Sequence, residues 1–159
     1  MTVAEFAFIG LGAFLVTRPL IKKSIITDYD APIEMISIAH GNDPLLVKAI
    51  IKVESDFNPN AHALSSVEDS RGLGQIRVND SNKRVLANLG IDPDRLYDPE
   101  YNITAINLFL DDIKKRYTST QDIISAYNAG AVHYQDGEYS NLVYVTEVWG
   151  YYTLYQAYN

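Results

Sequence analysis

Apolar residues recur every three or four positions along most of the chain after Ala31, the spacing that places side chains on one face of an α-helix. Aspartate followed by proline opens two of these stretches, because aspartate caps the first turn and proline suits the first helical position. Glycine closes three of them. The pattern predicts helices over residues 32–40, 44–56, 79–89, 99–117, 120–130 (capped by Thr120) and from Ser140 or Asn141 to the C-terminus.

Strand signals are few. Residues 61–71, rich in serine and charged side chains, form either an irregular loop or a small β-hairpin insert.

The chain has 159 residues, of which 47% are hydrophobic, which is enough for one ordinary domain. The predicted fold class is therefore mostly α, with one domain over residues 28–159 and a separate hydrophobic segment over residues 1–27.

Residues 6–16 form an uninterrupted apolar run. A membrane-spanning helix needs about 20 apolar residues, and this run reaches that length only by including Glu5 and Arg18. A standard signal peptide is not indicated, because a basic start and a small-x-small cleavage site are missing. Two interpretations remain: a membrane anchor with contact through residues 3–26, or an N-terminal hydrophobic helix packed on the domain or on a partner protein.

The charge and the cysteine count exclude several classes of partner. The formal net charge is -7, and no dense basic cluster offers a surface for nucleic acid. The absence of cysteine excludes disulfides and thiolate metal sites. His40, His62 and His133 lie too far apart for metal-ligand spacing, so no metal site is expected, and no cofactor is implied.

Glu54 falls on the apolar face of the second predicted helix, in line with Val47, Ile50 and Ile51. A charged group is costly on such a face unless it is neutralised or hydrogen-bonded. A carboxyl held against apolar walls has its pKa raised and stays protonated near neutral pH. Such a group can donate a proton to a leaving-group oxygen, as the general acid of a glycosidase does.

A solvated Glu54 is the alternative. In the last turn of a helix the side chain can turn outward, where it would pair with Lys48 or Arg71. Helical spacing alone does not choose between the two interpretations.

Four short motifs follow one another along the chain. Residues 54–61 read ESDFNPNA, residues 72–76 read GLGQI, residues 126–130 read AYNAG, and Tyr144-Val145 with Val148 lies in the last predicted helix. In this order, over residues 33–155, they resemble the motifs of the soluble lytic transglycosylase family, which has a lysozyme-like fold. The third motif is identical to that of the family.

The resemblance implies a peptidoglycan lytic transglycosylase. Glu54 would protonate the oxygen of the β-1,4 bond between N-acetylmuramic acid and N-acetylglucosamine, while the substrate's 2-acetamido group stabilises the positive charge. The C6 hydroxyl then attacks C1, and the same carboxylate takes its proton. The product is a 1,6-anhydro sugar, and no water is consumed. Apart from Asp56 in the first motif, whose placement is open, no second acid falls within a motif, which fits this chemistry.

The resemblance also implies a set of substrate-binding residues: Ser55, Gly72, Gln75, Tyr127, Asn128 and Tyr144. The amides of Gln75 and Asn128 match N-acetyl and hydroxyl groups, although Asn128 can instead cap a helix end. Ser55 either contacts the sugar, fixes Glu54, or is simply a hydroxyl at the helix terminus.

Tyr127 and Tyr144 would supply a stacking face and a phenolic hydroxyl beside the reacting centre. Gly72 would let the backbone approach the substrate closely. Gly74 stands where the family usually has Met, which predicts a sugar subsite that is wider or differently filled.

The segment between Glu54 and Gln75 is longer than usual and contains Glu68-Asp69. This leaves open a hydrolase of the goose-type lysozyme kind, which releases a reducing sugar and needs Glu68, Asp69 or Asp56 to hold a water opposite Glu54. A third interpretation is a structural component that keeps the fold for glycan binding or assembly.

Two settings suit a small domain with an apolar N-terminus and no standard export signal. One is a bacteriophage virion protein that opens the wall during infection. The other is a membrane-associated enzyme of the bacterial envelope that faces the periplasm. The size of the chain and the missing signal favour the phage setting.

Overall fold

The computed structural model describes residues 26–66, 68–80 and 82–159. Six helices and two small sheets account for most of them, which confirms the mostly helical fold class. The helices are α1 (Asp30–His40), α2 (Pro44–Ser55), α3 (Lys83–Leu89), α4 (Pro99–Lys114), α5 (Thr120–Ala129) and α6 (Leu142–Tyr158), with a short 3-10 turn at Pro93–Arg95. No helix in this part of the chain is long and apolar enough to cross a membrane. The apolar run of residues 6–16 lies outside the described residues.

Side-chain caps mark the starts of α2, α4 and α5. Asp43 accepts a hydrogen bond from the Leu45 amide at 2.9 Å, and Asp98 accepts one from the Tyr101 amide at 3.1 Å. The fifth helix is capped by Ser119, not by Thr120 as predicted, because Ser119 has the extended backbone that a cap requires. The third helix begins later than predicted, at Lys83. Glycines with left-handed backbone end α1, α3 and α5.

Residues 61–71 form the hairpin that was one of the two predicted alternatives. Strands β1 (His62–Leu64) and β2 (Asp69–Arg71) are antiparallel, and β3 (Ile76–Arg77) adds a third strand that the sequence pattern did not predict. A second hairpin, β4 (Tyr134–Gln135) with β5 (Glu138–Tyr139), was not predicted either. Strands of two residues are too short to show an alternating pattern.

The core lies between the long helices. Helix α2 packs along α6, and α1 packs along α4. The predicted apolar face of α2 is fully buried, with Val47, Ile50 and Ile51 inaccessible to solvent. Each such side chain stabilises the fold by roughly 1.5–3 kcal/mol through removal of apolar area from water. The face that carries Glu54 is thus anchored in the core.

Asn102 of α4 attaches the turn of residues 72–75 to the helical core. Its Nδ2 donates to the Leu96 carbonyl at 2.8 Å and to the Arg71 carbonyl at 3.1 Å, and its Oδ1 accepts from the Gly74 amide at 2.8 Å. Asn102 is completely buried, so each of these bonds replaces one that water would otherwise supply. The turn is therefore held at a fixed distance from α4.

Gly72 is required by this attachment. Its φ is +74°, and a Cβ at this position would lie 2.1 Å from the Leu96 carbonyl oxygen and 2.2 Å from Asn102 Nδ2. No side chain fits there without displacing the turn.

We expect Gly72→Ala to lower the free energy of unfolding by about 3 kcal/mol, since it adds a steric clash to the cost of a left-handed backbone. Gly41→Ala is the matched control, because its φ is +70° but a Cβ there would have no neighbouring atom within 4 Å. It should lose only about 1 kcal/mol. Urea unfolding of both variants measures the difference, and equal losses would show that the close approach at position 72 carries no energy.

Candidate active site

Glu54 lies in the last turn of α2, just before the chain leaves the helix. Asp56 and Phe57 both have left-handed backbone, with φ of 52° and 62°, an uncommon conformation for residues other than glycine. The helix therefore stops abruptly at Ser55. This leaves the Glu54 carboxyl at the end of a buried helix face, beside an open cavity.

The cavity next to Glu54 has a volume of about 570 Å³. Its walls come from the end of α2, from the β1–β3 sheet, from α4 and from the C-terminal end of α5. A volume of this order is typical of sites that enclose a small ligand or a short stretch of polymer. Both polar and apolar side chains line it, as a sugar-binding surface requires.

Tyr144 of α6 contacts Glu54 directly. Its hydroxyl Oη donates to Glu54 Oε1 at 2.6 Å. Burial raises the pKa of Tyr144 well above 10, and the nearby charge of Glu54 raises it further. Tyr144 is therefore a neutral hydrogen-bond donor over the whole physiological range.

The pKa of Glu54 is raised from its ordinary value of 4.5 to about 7. Burial is the largest cause, since it disfavours the charged form. The hydrogen bond from Tyr144 lowers the pKa, the charge of Glu68 raises it, and that of Arg77 lowers it. The carboxyl is thus about half protonated near neutral pH.

This pKa shift costs folding stability. The folded protein holds the proton more tightly than the unfolded chain does, so Glu54 has no effect on stability below its unfolded pKa. As the pH rises through 4.5 to 7, the buried carboxyl destabilises the fold by an amount that reaches roughly 3 kcal/mol above pH 7. Such a cost is typical of a residue retained for chemistry rather than for packing.

The solvated interpretation of Glu54 is wrong for the two partners that it named. Lys48 Nζ lies 2.6 Å from Asp30 Oδ1, and Arg71 Nη2 lies 2.8 Å from Asp69 Oδ2. Both cations are therefore engaged elsewhere.

Gln75 and Asn128 both line the cavity, and each is already held by the protein. Gln75 Nε2 donates to the carbonyls of Ala61 and Gly72, both at 3.0 Å, from a backbone with φ of 46°. Asn128 Oδ1 accepts from Asn141 Nδ2 at 3.0 Å, and this bond ties the end of α5 to the start of α6. These contacts orient the two amides at the cavity wall.

Tyr127 lines the cavity, and its hydroxyl is bonded to the turn of residues 72–75. The hydroxyl donates to the Gly74 carbonyl at 2.9 Å, and burial raises its pKa well above 10. The Tyr144 hydroxyl contacts Glu54 directly, and the charge of Glu54 also raises the pKa of the Tyr127 hydroxyl. The roles of both tyrosines at the reacting centre stay predictions. Tyr127 connects α5 to the turn of residues 72–75.

Two predicted site residues do not face the cavity. The Ser55 hydroxyl donates to the Ile51 carbonyl at 3.3 Å, so it is the helix-terminal hydroxyl of the alternative interpretation. Gly72 is buried against Leu96 and Asn102, and its missing side chain serves this internal packing rather than an approach to substrate.

Gly74 does not leave an open space. A Cβ there would lie 2.4 Å from Ile106 Cγ1 and 2.7 Å from the Tyr127 hydroxyl. The space that a Cβ at this position would need is therefore filled by Ile106 and Tyr127, and the shape of the sugar subsite stays a prediction.

Several cavity-lining residues were not predicted from the sequence. They come from β3, α3, α4 and the segments beside these elements, and include Arg77, Asn82, Phe109, Asp112 and Arg116. Arg77 directly follows the GLGQI motif, which was a usable signal. The other residues carry no such signal in the sequence. For those on and beside α4, the packing of the helix decides which of its faces meets the cavity. Among the described residues, no group of three or more histidine or acidic side chains could hold a metal ion.

We expect Tyr144→Phe to raise the pKa of Glu54 above 7, because a hydrogen bond that favours the ionised carboxylate is removed. Carbon-13 NMR titration of the glutamate carboxyls measures this directly. Tyr152→Phe is the control, since the Tyr152 hydroxyl donates to Asp43 at 2.6 Å and not to a cavity residue. An unchanged or lowered Glu54 pKa in Tyr144→Phe would contradict the contact.

The sequence is similar to those of several curated proteins. It is 36% identical over 111 residues to the membrane-bound lytic murein transglycosylase C of Photorhabdus laumondii, covering 62% of this chain and 30% of that protein. It is 33% identical over 112 residues to the X polypeptide of Escherichia coli, covering 70% of this chain and 66% of that protein. The chain thus spans about a third of the length of the transglycosylase C relatives that it matches.

The fold is similar to that of the lytic transglycosylase Slt of Pseudomonas aeruginosa, solved as an inactive mutant. The TM-score is 0.64 at 20% sequence identity, and the match covers 82% of this chain and 24% of that one. This likeness confirms the expected fold.

The family match covers more than half of the chain. Residues 31–141 match the family described as the Transglycosylase SLT domain, and this range includes Glu54 and the first three motifs. The chain belongs to the Transglycosylase SLT domain family.

Proposed function

We propose that this domain cleaves the β-1,4 bond between N-acetylmuramic acid and N-acetylglucosamine in peptidoglycan and forms a 1,6-anhydro-muramoyl end. The observation that carries the proposal is a buried Glu54 with a pKa of about 7, beside a cavity large enough for sugar rings. Family membership and the lytic murein transglycosylases among its relatives support the same chemistry.

Glu54 acts first as a general acid. Tyr144 donates to Oε1, so the proton of the neutral carboxyl is carried by Oε2. This proton passes to the glycosidic oxygen as its bond to C1 breaks, and N-acetylglucosamine leaves as an alcohol. A donor with a pKa near the working pH combines sufficient acidity with a substantial protonated fraction.

Glu54 then acts as a general base. The C6 hydroxyl of the muramoyl residue attacks C1, and Glu54, now a carboxylate, takes its proton and is regenerated. The attacking group is tethered to the reacting carbon, so little orientational entropy is lost. The amides of Gln75 and Asn128 at the cavity wall hold the sugar through its N-acetyl and hydroxyl groups.

We expect the full-length protein to release anhydro-muropeptides from purified peptidoglycan, and Glu54→Gln to release them about 100-fold or more slowly. The wild-type rate should fall as the pH rises above about 7, because the first step needs the protonated acid. Mass spectrometry of the soluble products measures both.

Glu34→Gln serves as the control, because Glu34 is an exposed residue of α1 and carries the same change of charge. No release by the folded wild-type protein would leave glycan binding or a structural role as the better account. Equal rates for wild type and Glu54→Gln would remove Glu54 from the mechanism.

We propose in addition that the protein associates with a membrane through residues 3–26. The apolar run supports this, and the transglycosylase C relatives are named as membrane-bound. The phage setting stays a prediction that rests on chain size and the missing export signal.

Deletion of residues 1–25 should move the protein from the membrane fraction of a bacterial host to the soluble fraction. The deletion keeps Thr27, whose hydroxyl donates to Asp30 at 2.7 Å at the start of α1. Circular dichroism of the shortened protein checks that it is folded. Recovery of the full-length protein in the soluble fraction would contradict the anchor.

A further inference from the structure

Glu68 places a second carboxyl group at the cavity that contains Glu54. It lies immediately before β2 and lines the same cavity. Ser70 Oγ donates to Glu68 Oε1 at 3.1 Å, and Ser70 is itself 3% exposed. Arg77 Nη2 lies 3.9 Å from the same oxygen. A buried hydroxyl and a guanidinium therefore hold this carboxylate in place at the cavity wall.

The two carboxyl groups have opposite surroundings. Glu54 is mostly buried at the end of an apolar helix face, which favours its protonated form. The Glu68 side chain is 42% exposed and lies 3.9 Å from the Arg77 guanidinium. Two carboxyl groups whose environments differ in this way are suited to act as acid and base in one reaction.

The other two acids that the sequence left open do not reach the cavity. Asp69 accepts from Arg71 through both carboxylate oxygens and contacts His62 Nε2 at 3.0 Å. Asp56 is exposed and pairs with Lys52. Of the three acids Glu68, Asp69 and Asp56, Glu68 is therefore the one that lines the cavity.

Asp112 is the remaining cavity-lining acid of the described residues. It pairs with Lys115 at 3.2 Å on the surface of α4. The charge of Glu68, by contrast, acts on the pKa of Glu54.

We propose that Glu68 is a general base that activates a water molecule, so that the site hydrolyses the glycan in addition to forming anhydro ends. This inference rests on the proposed function. Glu54 gives its proton to the leaving oxygen as the C1–O bond breaks. Water adds to C1 through its oxygen, and its proton passes to Glu68. The product is a reducing N-acetylmuramic acid end, and proton exchange with solvent restores both side chains.

The two outcomes share one first step and then compete. The C6 hydroxyl is tethered and has the advantage of proximity. Water has a positioned base of its own, which assists a proton transfer by about 100-fold or more. Glu54 is both acid and base of the anhydro reaction, whereas Glu68 acts as a base only in the hydrolytic one. Removing Glu68 should therefore lower the formation of reducing ends, while anhydro ends continue to form through Glu54.

The experiment digests purified peptidoglycan with the full-length protein and reduces the products with borohydride. Reducing ends become muramitol, while anhydro ends do not react, so mass spectrometry counts both above a blank without enzyme. We expect wild type to form both kinds of end. Glu68→Gln, whose amide oxygen can still accept from Ser70, should lose about ten-fold or more of the reducing ends and keep the rate of anhydro formation.

Two further variants make the result specific. Glu34→Gln carries the same charge change on the exposed face of α1 and should leave the product ratio unchanged. Glu68→Asp keeps the carboxylate and should recover part of the reducing ends.

Each contrary result has a separate meaning. Anhydro ends alone from wild type would overturn the role of Glu68 and leave the transglycosylase standing. Reducing ends alone, lost in Glu68→Gln, would keep Glu68 and overturn the anhydro reaction. An equal loss of both products in folded Glu68→Gln would show that the residue only shapes the hairpin. No release of either product by wild type would overturn both proposals.

Discussion

The carboxyl group of Glu54 is held out of water at the end of α2, with one hydrogen bond from Tyr144. Keeping a carboxyl in such a place costs free energy whenever it is ionised, and the fold must supply that energy from its core. The burial of the apolar face of α2 against α6 does so. The same packing brings the tyrosine to the acid. The stability of the fold and the protonation of the site are therefore consequences of one helix contact.

The opposite wall of the cavity depends on a second set of internal contacts. Asn102 attaches the segment of residues 71–75 to α4 by two hydrogen bonds, and Tyr127 attaches it to α5 by a third. Gln75 lies in this turn with a strained backbone, and its amide is oriented by two carbonyls. Strain of this kind persists only where the surroundings over-determine the conformation. The wall is thus arranged before any ligand binds, and a rigid wall lowers the entropic cost of holding a sugar.

The charges around Glu54 act in opposite directions. Glu68 raises its pKa and Arg77 lowers it, and the two lie 3.9 Å apart. Because these two effects on the pKa partly cancel, burial is the main determinant of the pKa of Glu54. This arrangement lets a carboxylate and a guanidinium stand close to the acid without removing its proton near neutral pH.

Local sequence was sufficient to specify most of the helices, their aspartate caps, the mostly α class and the position of Glu54 on the apolar face of α2, because these depend on spacing and on residues close together in the chain. The ordered motifs also indicated the family. Tertiary contacts were needed to show that the Tyr144 hydroxyl meets Glu54 across 90 residues of chain. They were also needed to show that the Ser55 hydroxyl bonds to its own helix, that Gly72 packs against Leu96 and Asn102, and that Glu68 rather than Asp69 lines the cavity. Adjacent residues such as Glu68 and Asp69 carry the same local signal. Which of the two side chains faces the cavity depends on strand pairing and on contacts with distant helices. Neither can be predicted from local spacing in the sequence.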